Sequence, residues 1–203
     1  MGSPPLGWAA KNGHDGVVKI LLARDDIDPN KTNGAGQAPL WWAACKGHQG
    51  VVKMLLGRDD VDPNKPEDEG GTPLAWAARN GHEGVVKILL GRDDVDPNKP
   101  DRYGRTPLWW AAYTDCEGMA KALLARGDID PNKPDNEGRV PLAWAAQDGR
   151  DVMVGILLGQ NNINPDKPDM YGQTPLLYAA RNGHTRVIAL LQPRTAATHV
   201  PPT

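Results

Sequence analysis

The sequence predicts an all-α fold, a stack of short helix-turn-helix units with projecting connections. Three observations predict it. The dipeptide Pro-Leu recurs at 5–6, 39–40, 73–74, 107–108, 141–142 and 175–176, a strict period of 34 residues. Val51 to Pro66 (VVKMLLGRDDVDPNKP) and Val85 to Pro100 (VVKILLGRDDVDPNKP) agree at fifteen of sixteen positions. Each period holds two short apolar stretches at helical spacing, and neither can bury its face alone, so the units must stack. A length of 203 residues would ordinarily suggest one or two domains, but the period leaves no room for a linker. The expected organisation is one array over 1–192, in units of about 1–32, 33–66, 67–100, 101–134, 135–168 and 169–192. A loose polar tail is expected over 193–203.

Within one period the elements follow in order from Thr72 to Asp101. Thr72 before Pro73 starts a helix, with a hydroxyl at the N-cap and a proline where its missing N–H costs nothing. Leu74, Ala77 and Ala78 lie at i, i+3 and i+4 and make one short apolar face. Asn80-Gly81-His82 stops that helix with a glycine able to take positive φ. Glu83 opens a second helix at its positive end, and Val85, Val86, Ile88, Leu89 and Leu90 make a wider apolar face. Asp93 to Asp101 is dense in turn formers and continues neither helix.

Copies depart from this scheme at particular places. Thr is lost at Ala38 and Val140, and Gly-His becomes Asp115-Cys116 in the fourth copy and Gly149-Arg150 in the fifth. Gly155 stands inside the second helix of the fifth copy, at a cost of about 1 kcal/mol relative to Ala. Gln192-Pro193 breaks the sixth copy, so its pattern is expected to end at Leu191. Met1-Gly2-Ser3 is consistent with an expression remnant, and the first copy lacks its hairpin, as in a fragment of a longer array.

The motif T-P-L-x-x-A-A, then G-H, V-V-x-x-L-L and D-V, at Thr72 to Val95, Thr106 to Ile129 and Thr174 to Leu191, resembles the ankyrin repeat. The near-identical copies are also similar to the long ankyrin arrays of fungal receptor-like proteins. The tetratricopeptide repeat shares the period but not its W-x-x-L-G-x-x-Y start. The resemblance implies an ankyrin-repeat solenoid: antiparallel helix pairs stacked side by side, hairpin loops projecting, a curved slab serving protein–protein recognition. The period is one residue longer than the usual 33, which predicts an extra hairpin residue. The histidine that normally follows T-P-L is replaced throughout, by Gly7, Trp41, Ala75, Trp109, Ala143 and Leu177.

Composition narrows the function classes. Net charge is −2 with 24% charged residues, so the basic surplus of a duplex-binding module is missing. No apolar run approaches the ~18 residues of a membrane span, and Met1 to Pro5 carries no charged or apolar leader pattern. Two cysteines, Cys45 and Cys116, in a chain too long to depend on disulfides, fit a reducing, cytoplasmic compartment.

No cofactor or metal is expected. His14, His48, His82 and His184 recur on the period, but equivalent atoms of neighbouring units are a helix-packing distance of roughly 8–10 Å apart, too far to share an ion; bonding to turn backbone is their expected role. Asp25-Asp26-x-Asp28 and its copies lack the central Gly and the Glu of a calcium loop. They are expected to accept turn hydrogen bonds and to pair with Lys31, Lys65, Lys99, Lys133 and Lys167. No nucleophile–base constellation can be built, and the recurring polar residues are used up by caps and turns, so catalysis is not expected.

Trp8, Trp42, Trp76, Trp110 and Trp144 recur at the full period, closed by Tyr178. By family position this ladder faces the neighbouring unit and is expected to be core. Trp41 and Trp109 occur only in alternate copies and are expected at the surface, either packed on their own helix or touching a partner. By the same resemblance, the concave-face candidates for binding another protein centre on Arg102, Tyr103, Arg105, Trp109, Tyr113 and Thr114. Trp41, Arg79, Asn80, Arg139, Gln147, Asp148, Tyr171 and Gln173 flank them, with Gln37, Lys46 and Met170 nearby. A non-catalytic binding module, monomeric in dilute solution, is one expectation. A stability scaffold, spacer or consensus-like designed array without a dedicated partner is the other, favoured by the high internal identity.

Overall fold

A proline in the first helical turn, behind a hydroxyl, sets where the first helix of each pair begins. Thr72, Thr106 and Thr174 accept the amide N–H of Ala75, Trp109 and Leu177 at 3.1, 3.1 and 3.3 Å. Ala38 and Val140 stand in the same place without a side-chain cap, and their helices still form because the Leu-Ala face behind them is buried.

The computed structural model describes residues 3–197, in two compact units, Met1–Arg102 and Tyr103–Thr203. The first holds α1 (Pro5–Lys11), α2 (Asp15–Leu22), α3 (Pro39–Lys46), α4 (Gln49–Leu56), α5 (Pro73–Arg79) and α6 (Glu83–Leu90). The second holds α7 (Pro107–Tyr113), α8 (Glu117–Leu124), α9 (Pro141–Gln147), α10 (Asp151–Leu158), α11 (Pro175–Arg181) and α12 (Thr185–Ala197). Among the described residues every regular element is a helix. In the first unit α1, α3 and α5 pack in one layer and α2, α4 and α6 in another; in the second, α7, α9 and α11 face α8, α10 and α12 in the same way. The core of each unit is the seam between layers, where Leu40, Ala43, Ala44, Val52 and Leu55, and Leu108, Ala111, Ala120, Leu123 and Leu157, are buried.

The helices lie where the caps and glycines predict, except at the end. α12 runs on through Pro193 to Ala197, past the break expected after Leu191. A proline removes one N–H from the ladder without forbidding the turn that follows it. The rest of the expected tail, 198–203, lies outside the described residues. Gly155 falls inside α10 as expected, on its exposed side.

Three kinds of recurring bond tie helix pairs to the ones before them within a unit. His48, His82 and His184 donate from Nε2 to the carbonyls of Lys11, Cys45 and Gln147 at 3.0, 3.1 and 2.9 Å. The histidines thus bond backbone as expected, but it is the backbone of the preceding pair. Each ring lies over a turn glycine: a Cβ on Gly13, Gly47 or Gly149 would sit 2.7, 2.7 or 2.5 Å from the imidazole Nδ1. The same glycines hold φ of 68°, 78° and 70°, so two independent constraints demand glycine there. In the second unit one joint is built differently. Asp115 takes the glycine position at φ 56°, and Arg150, in the histidine position, reaches its carboxylate at 3.3 Å.

The second bond runs from arginine: Arg58 and Arg92 donate to the carbonyls of Leu22 and Leu56 at 3.0 and 2.8 Å. The third is an asparagine bridge. Asn30 donates to the Asp60 carbonyl and accepts the Asp62 N–H at 2.6 and 2.9 Å; Asn64 with Asp94 and Asp96, and Asn132 with Asn162 and Asn164, repeat it. The expected pairing of the acidic turns with lysine is corrected here. Asp26, Asp60, Asp94 and Asp128 pair with Arg24, Arg58, Arg92 and Arg126, two residues earlier, at 2.6–2.7 Å, because that guanidinium fork meets the carboxylate within the turn. Lys99 and Lys167 bond the carbonyls of Asn64 and Asn132 instead.

The tryptophan assignment is also overturned. Trp41 and Trp109 are 3% exposed, whereas Trp8 is 55% exposed and Trp42, Trp76 and Trp144 are half-buried. Trp110 alone of the periodic set is buried. Trp41 packs edge-on against Trp76 at 5.0 Å, and Trp109 against Trp144 at 5.0 Å, so this residue fills the gap to the next first helix. Replacing Trp109 by Ala is expected to cost about 3–5 kcal/mol, and Trp8→Ala about 1 kcal/mol or less. Urea denaturation of the two variants measures the difference, and equal losses would contradict it.

Candidate functional site

The face built from hairpins and first helices begins with a polar side chain at the hairpin base, buried at Glu67, Asp135 and Asp169 and half-buried at Asn33. Asn33, Glu67, Asp135 and Asp169 occupy this place on the period. One Asp135 oxygen, Oδ1, accepts the N–H of Glu137 and Arg139 at 3.0 and 2.9 Å and closes the hairpin turn. Its other oxygen accepts the indole N–H of Trp109 and Trp144 at 3.2 and 3.3 Å. Asp169 does the same, with the N–H of Tyr171 and Gln173 on one oxygen and the Tyr178 hydroxyl on the other at 2.5 Å. A single carboxylate therefore fixes both the hairpin and the aromatic behind it. Sequence reading missed these residues; the signal was a polar residue recurring two positions after each of Lys31, Lys65, Lys133 and Lys167.

The first unit breaks that rule twice. Asn33 closes its turn through Oδ1 but turns an amide, not a second acceptor, toward Gln37. Glu67, one methylene longer, spends both oxygens on the N–H of Glu69 and Gly71. The indole N–H groups of Trp41 and Trp42 are buried and unpartnered, which is what these two substitutions leave behind.

Hairpin tips join through main chain. In the first unit the N–H of Asp68 and Arg102 donate to the carbonyls of Ala35 and Glu69 at 3.2 and 2.8 Å; in the second, Asn136 and Met170 donate to Tyr103 and Glu137 at 2.9 and 3.0 Å. In each unit the tips are thus joined by main chain, and their side chains project outward.

The expected binding residues separate into framework and surface. Trp41 and Trp109, expected at the surface, are buried. Asn80 donates to the Cys45 carbonyl at 3.1 Å, Thr114 to the Trp110 carbonyl at 2.8 Å, and the Gln147 carbonyl receives His184. Gln173 closes its hairpin and Gln37 pairs with Asn33. In the first unit exposed Arg79 lies over Trp76 at 4.5 Å, Arg102 pairs with Glu69 at 3.1 Å, and Lys46 is exposed. In the second, Tyr103, Tyr113 and Tyr171 are 44%, 45% and 67% exposed, with Met170 beside them and Asp148 at the helix end. Arg105 spans the rings of Tyr103 and Trp110, 4.3 Å from each. Tyr113 stacks on Trp109 at 5.2 Å, and Arg139 covers Trp144 at 4.0 Å while pairing with Glu137. The structure thus gathers aromatic rings and guanidinium groups into one rigid surface on the second unit.

Among the described residues no group of three or more His, Cys, Asp or Glu is placed to hold a metal ion, and no helix is long and apolar enough to cross a membrane. Burial raises the Cys45 thiol against the opposing pull of Lys46 and Asn80, so it is not an activated nucleophile.

A family model described as ankyrin repeats (3 copies) matches residues 1–67, 59–135 and 128–200. No curated protein matches the chain. Similar solved structures include the ankyrin repeat protein EF0377, 24% identical with a TM-score of 0.87, the match covering 95% of this chain and 98% of that one. An ankyrin repeat domain from Acinetobacter baumannii AYE is 25% identical with a TM-score of 0.86, covering 94% and 97%. A chain from the complex of the predatory endopeptidase Bd0816 of Bdellovibrio bacteriovorus with immunity protein Bd3460 is 26% identical with a TM-score of 0.82, covering 96% and 100%.

Two expectations test the hairpin-base chemistry. Glu67→Asp and Asn33→Asp each restore a carboxylate of the right length, and each should stabilise the chain by about 1 kcal/mol by giving an indole N–H its acceptor; chemical denaturation measures it. Asp169 and Tyr178 set a pH window. Burial pushes the Asp169 carboxyl up, but the Tyr178 hydroxyl, the two amides and the charge of Arg139 outweigh it, and the net shift is downward. Its contribution is present above the ordinary carboxylate range and is lost as pH falls through the lowered value. Burial and the bond to Asp169 push Tyr178 up to about 12, so stability also declines as pH rises from about 10 toward that value. Melting temperatures of the wild type should fall at both ends, and Asp169→Asn should flatten the acid limb.

Proposed function

Because the chain belongs to the ankyrin-repeat family, whose repeats are protein–protein interaction modules, we propose that it is a non-catalytic module gripping a partner protein through the hairpin tips and first helices of its second unit. The reading takes the chain as one array of six units on the 34-residue period, kin to the near-identical arrays of fungal receptor-like proteins, acting as a monomer in dilute solution. Its free cysteines fit a cytoplasmic setting.

The observation that carries the reading is the tyrosine surface. Tyr103 and Tyr171 expose 44% and 67% of their area on hairpin tips whose backbone is already bonded, and Tyr113 exposes 45% at the end of α7. Rigid aromatics with neighbouring guanidinium groups are the composition of binding hot spots, because they contribute contact area with little entropy left to lose. Some of the residues that differ between copies, Tyr103, Tyr113 and Tyr171 among them, are exposed. Arg102 and Arg79 extend the same chemistry on the first unit. The likeness to a chain from an endopeptidase–immunity protein complex is in keeping with partner binding by this fold.

The test is affinity capture from cell extract with the wild type, with the Tyr103→Ala, Tyr113→Ala and Tyr171→Ala triple variant, and with a Lys53→Ala, Lys87→Ala and Lys121→Ala control on the second helices. A saturable partner retained by the wild type and the lysine control and lost from the tyrosine variant is expected, with the variant still folded and melting cooperatively. Capture that survives the tyrosine changes would move the site elsewhere. No saturable partner at all would favour the spacer reading.

A further inference from the structure

At the base of the first hairpin two hydrogen-bond donors are set against each other. Asn33 accepts the N–H of Ala35 and Gln37 on Oδ1 at 3.0 and 3.1 Å, which fixes the orientation of its amide. Nδ2 therefore stands where Asp135 and Asp169 carry their second oxygen. The aromatic nine residues on finds no acceptor there: the indole N–H of Trp42 is buried and unpartnered, whereas Trp144 and Tyr178 donate to Asp135 and Asp169. Nδ2 donates instead to Gln37 Oε1 at 2.8 Å and Ser3 Oγ at 3.5 Å. A buried donor left unpaired costs more than an ordinary hydrogen bond returns, and a carboxylate in place of this amide removes the conflict.

Gly34 follows Asn33, and glycine, lacking a Cβ, is the residue whose main-chain nitrogen most readily reaches the preceding side-chain amide carbon. Such Asn-Gly pairs begin at Asn12, Asn33, Asn80 and Asn182. Three of them close first helices. There a helix carbonyl holds the glycine N–H, Gly13 to Ala10, Gly81 to Ala78 and Gly183 to Ala180, at 3.4, 3.1 and 3.2 Å. The asparagine amides at those places donate in turn to the carbonyls of Trp8, Cys45 and Tyr178. Gly34 is exposed, and among the described residues its N–H has no acceptor. Among the described residues, too, the Asn33 side-chain carbonyl is the one of the four that receives main-chain N–H groups. Negative charge developing on Oδ1 during attack at Cγ thus meets donors already in place.

We infer that Asn33-Gly34 is a self-acting modification site, at which the folded chain converts its own Asn33 to aspartate. Gly34 N gives its proton to solvent hydroxide and bonds to Asn33 Cγ. The Cγ–Nδ2 bond then breaks, and Nδ2 leaves as ammonia with a proton taken from water. Water next cleaves the cyclic imide between Cγ and Gly34 N, which restores the main chain and leaves a carboxylate. The balance is water consumed and ammonia released, with no other co-reactant. Opening on the far side of the ring would lengthen the main chain by a methylene and draw the carboxyl away from Ala35 and Gln37, so the hairpin accumulates the α-linked product. That carboxylate keeps one oxygen on the two amides and offers the other to Trp42, while Gln37 turns its amide to donate where it had accepted. The first hairpin thereby acquires the base that the second unit carries in its sequence, together with a negative charge. The change is one-way, and it stands apart from the tyrosine surface and the partner reading.

Incubation of the purified, folded chain in mildly alkaline buffer, followed by peptide mapping in a mass spectrometer, tests this beside a sample unfolded in guanidinium chloride. In the folded chain Asn33 is expected to convert at least several-fold faster than Asn12, Asn80 or Asn182. The product should be mainly the α-linked aspartate, identified against synthetic α- and β-linked peptides. In the unfolded sample the four rates should draw together, and Gly34→Ala should slow the folded reaction at least several-fold. The melting temperature should rise with the converted fraction toward that of Asn33→Asp, and should not rise during conversion of a Trp42→Phe chain. An Asn33 that converts no faster than the other three, or mainly to the β-linked form, would overturn the inference. So would the same preference for Asn33 in the unfolded chain, or a melting temperature that does not rise with conversion.

Discussion

The side-chain bond across a joint, an imidazole to a carbonyl at three of the four described joints, is the constraint on which the rest of the structure depends. A first helix of seven or eight residues satisfies few of its own backbone groups, and its last carbonyl would be left to water. The histidine of the following pair takes that carbonyl while its ring fills the space over a left-handed glycine. One side chain thereby fixes the separation of two turns, the direction of the incoming second helix and the register of the apolar seam behind it. The arginine and asparagine bridges repeat the lesson at the far end of the second helices. All three bind backbone to side chain across a joint, so registry is set by atoms that every copy possesses whatever its surface residues are.

That arrangement explains what the sequence made legible. Caps, stops and helix faces are local signals, and Thr72-Pro73, Asn80-Gly81 and the Val-Val-x-x-Leu-Leu rows mark them within a few residues. The tryptophans were misplaced because recurrence was read as burial. Helical geometry pointed the other way: Trp42, Trp76 and Trp144 share their face with Cys45 and Lys46, Arg79 and Asn80, and Gln147 and Asp148, three and four residues on. Trp41 and Trp109 share theirs with Ala44 and Ala112. Neighbours on the same face were the better guide than the period.

The hairpin-base carboxylate was illegible for another reason. Its two tasks are performed for groups two, four, nine and twenty-six residues away, and only folding brings the last of these to it. Once Asp135 is seen serving Glu137, Arg139, Trp144 and Trp109 together, Asn33 and Glu67 become readable as the places where the first unit performs half of that work. Part of the tyrosine surface follows from the same base: a hairpin held from below and tied to its neighbour by main chain holds Tyr103 and Tyr171 outward. Sequence could name the variable positions; it could not say which of them were already employed.

The joint made by Asp115 and Arg150 shows what this means for descent by duplication. In the other described joints a glycine in one copy answers to a histidine in the next; here an aspartate, tolerated at positive φ, answers to an arginine. The two halves of each answer lie thirty-five residues apart, in different copies. A crossover that exchanged whole helix pairs would separate Asp115 from Arg150 and set a carboxylate beneath an imidazole or an arginine above a glycine. The inherited module of such a gene is therefore the seam, the end of one copy together with the beginning of the next, and a copy whose seam has diverged is no longer free to be shuffled among its siblings.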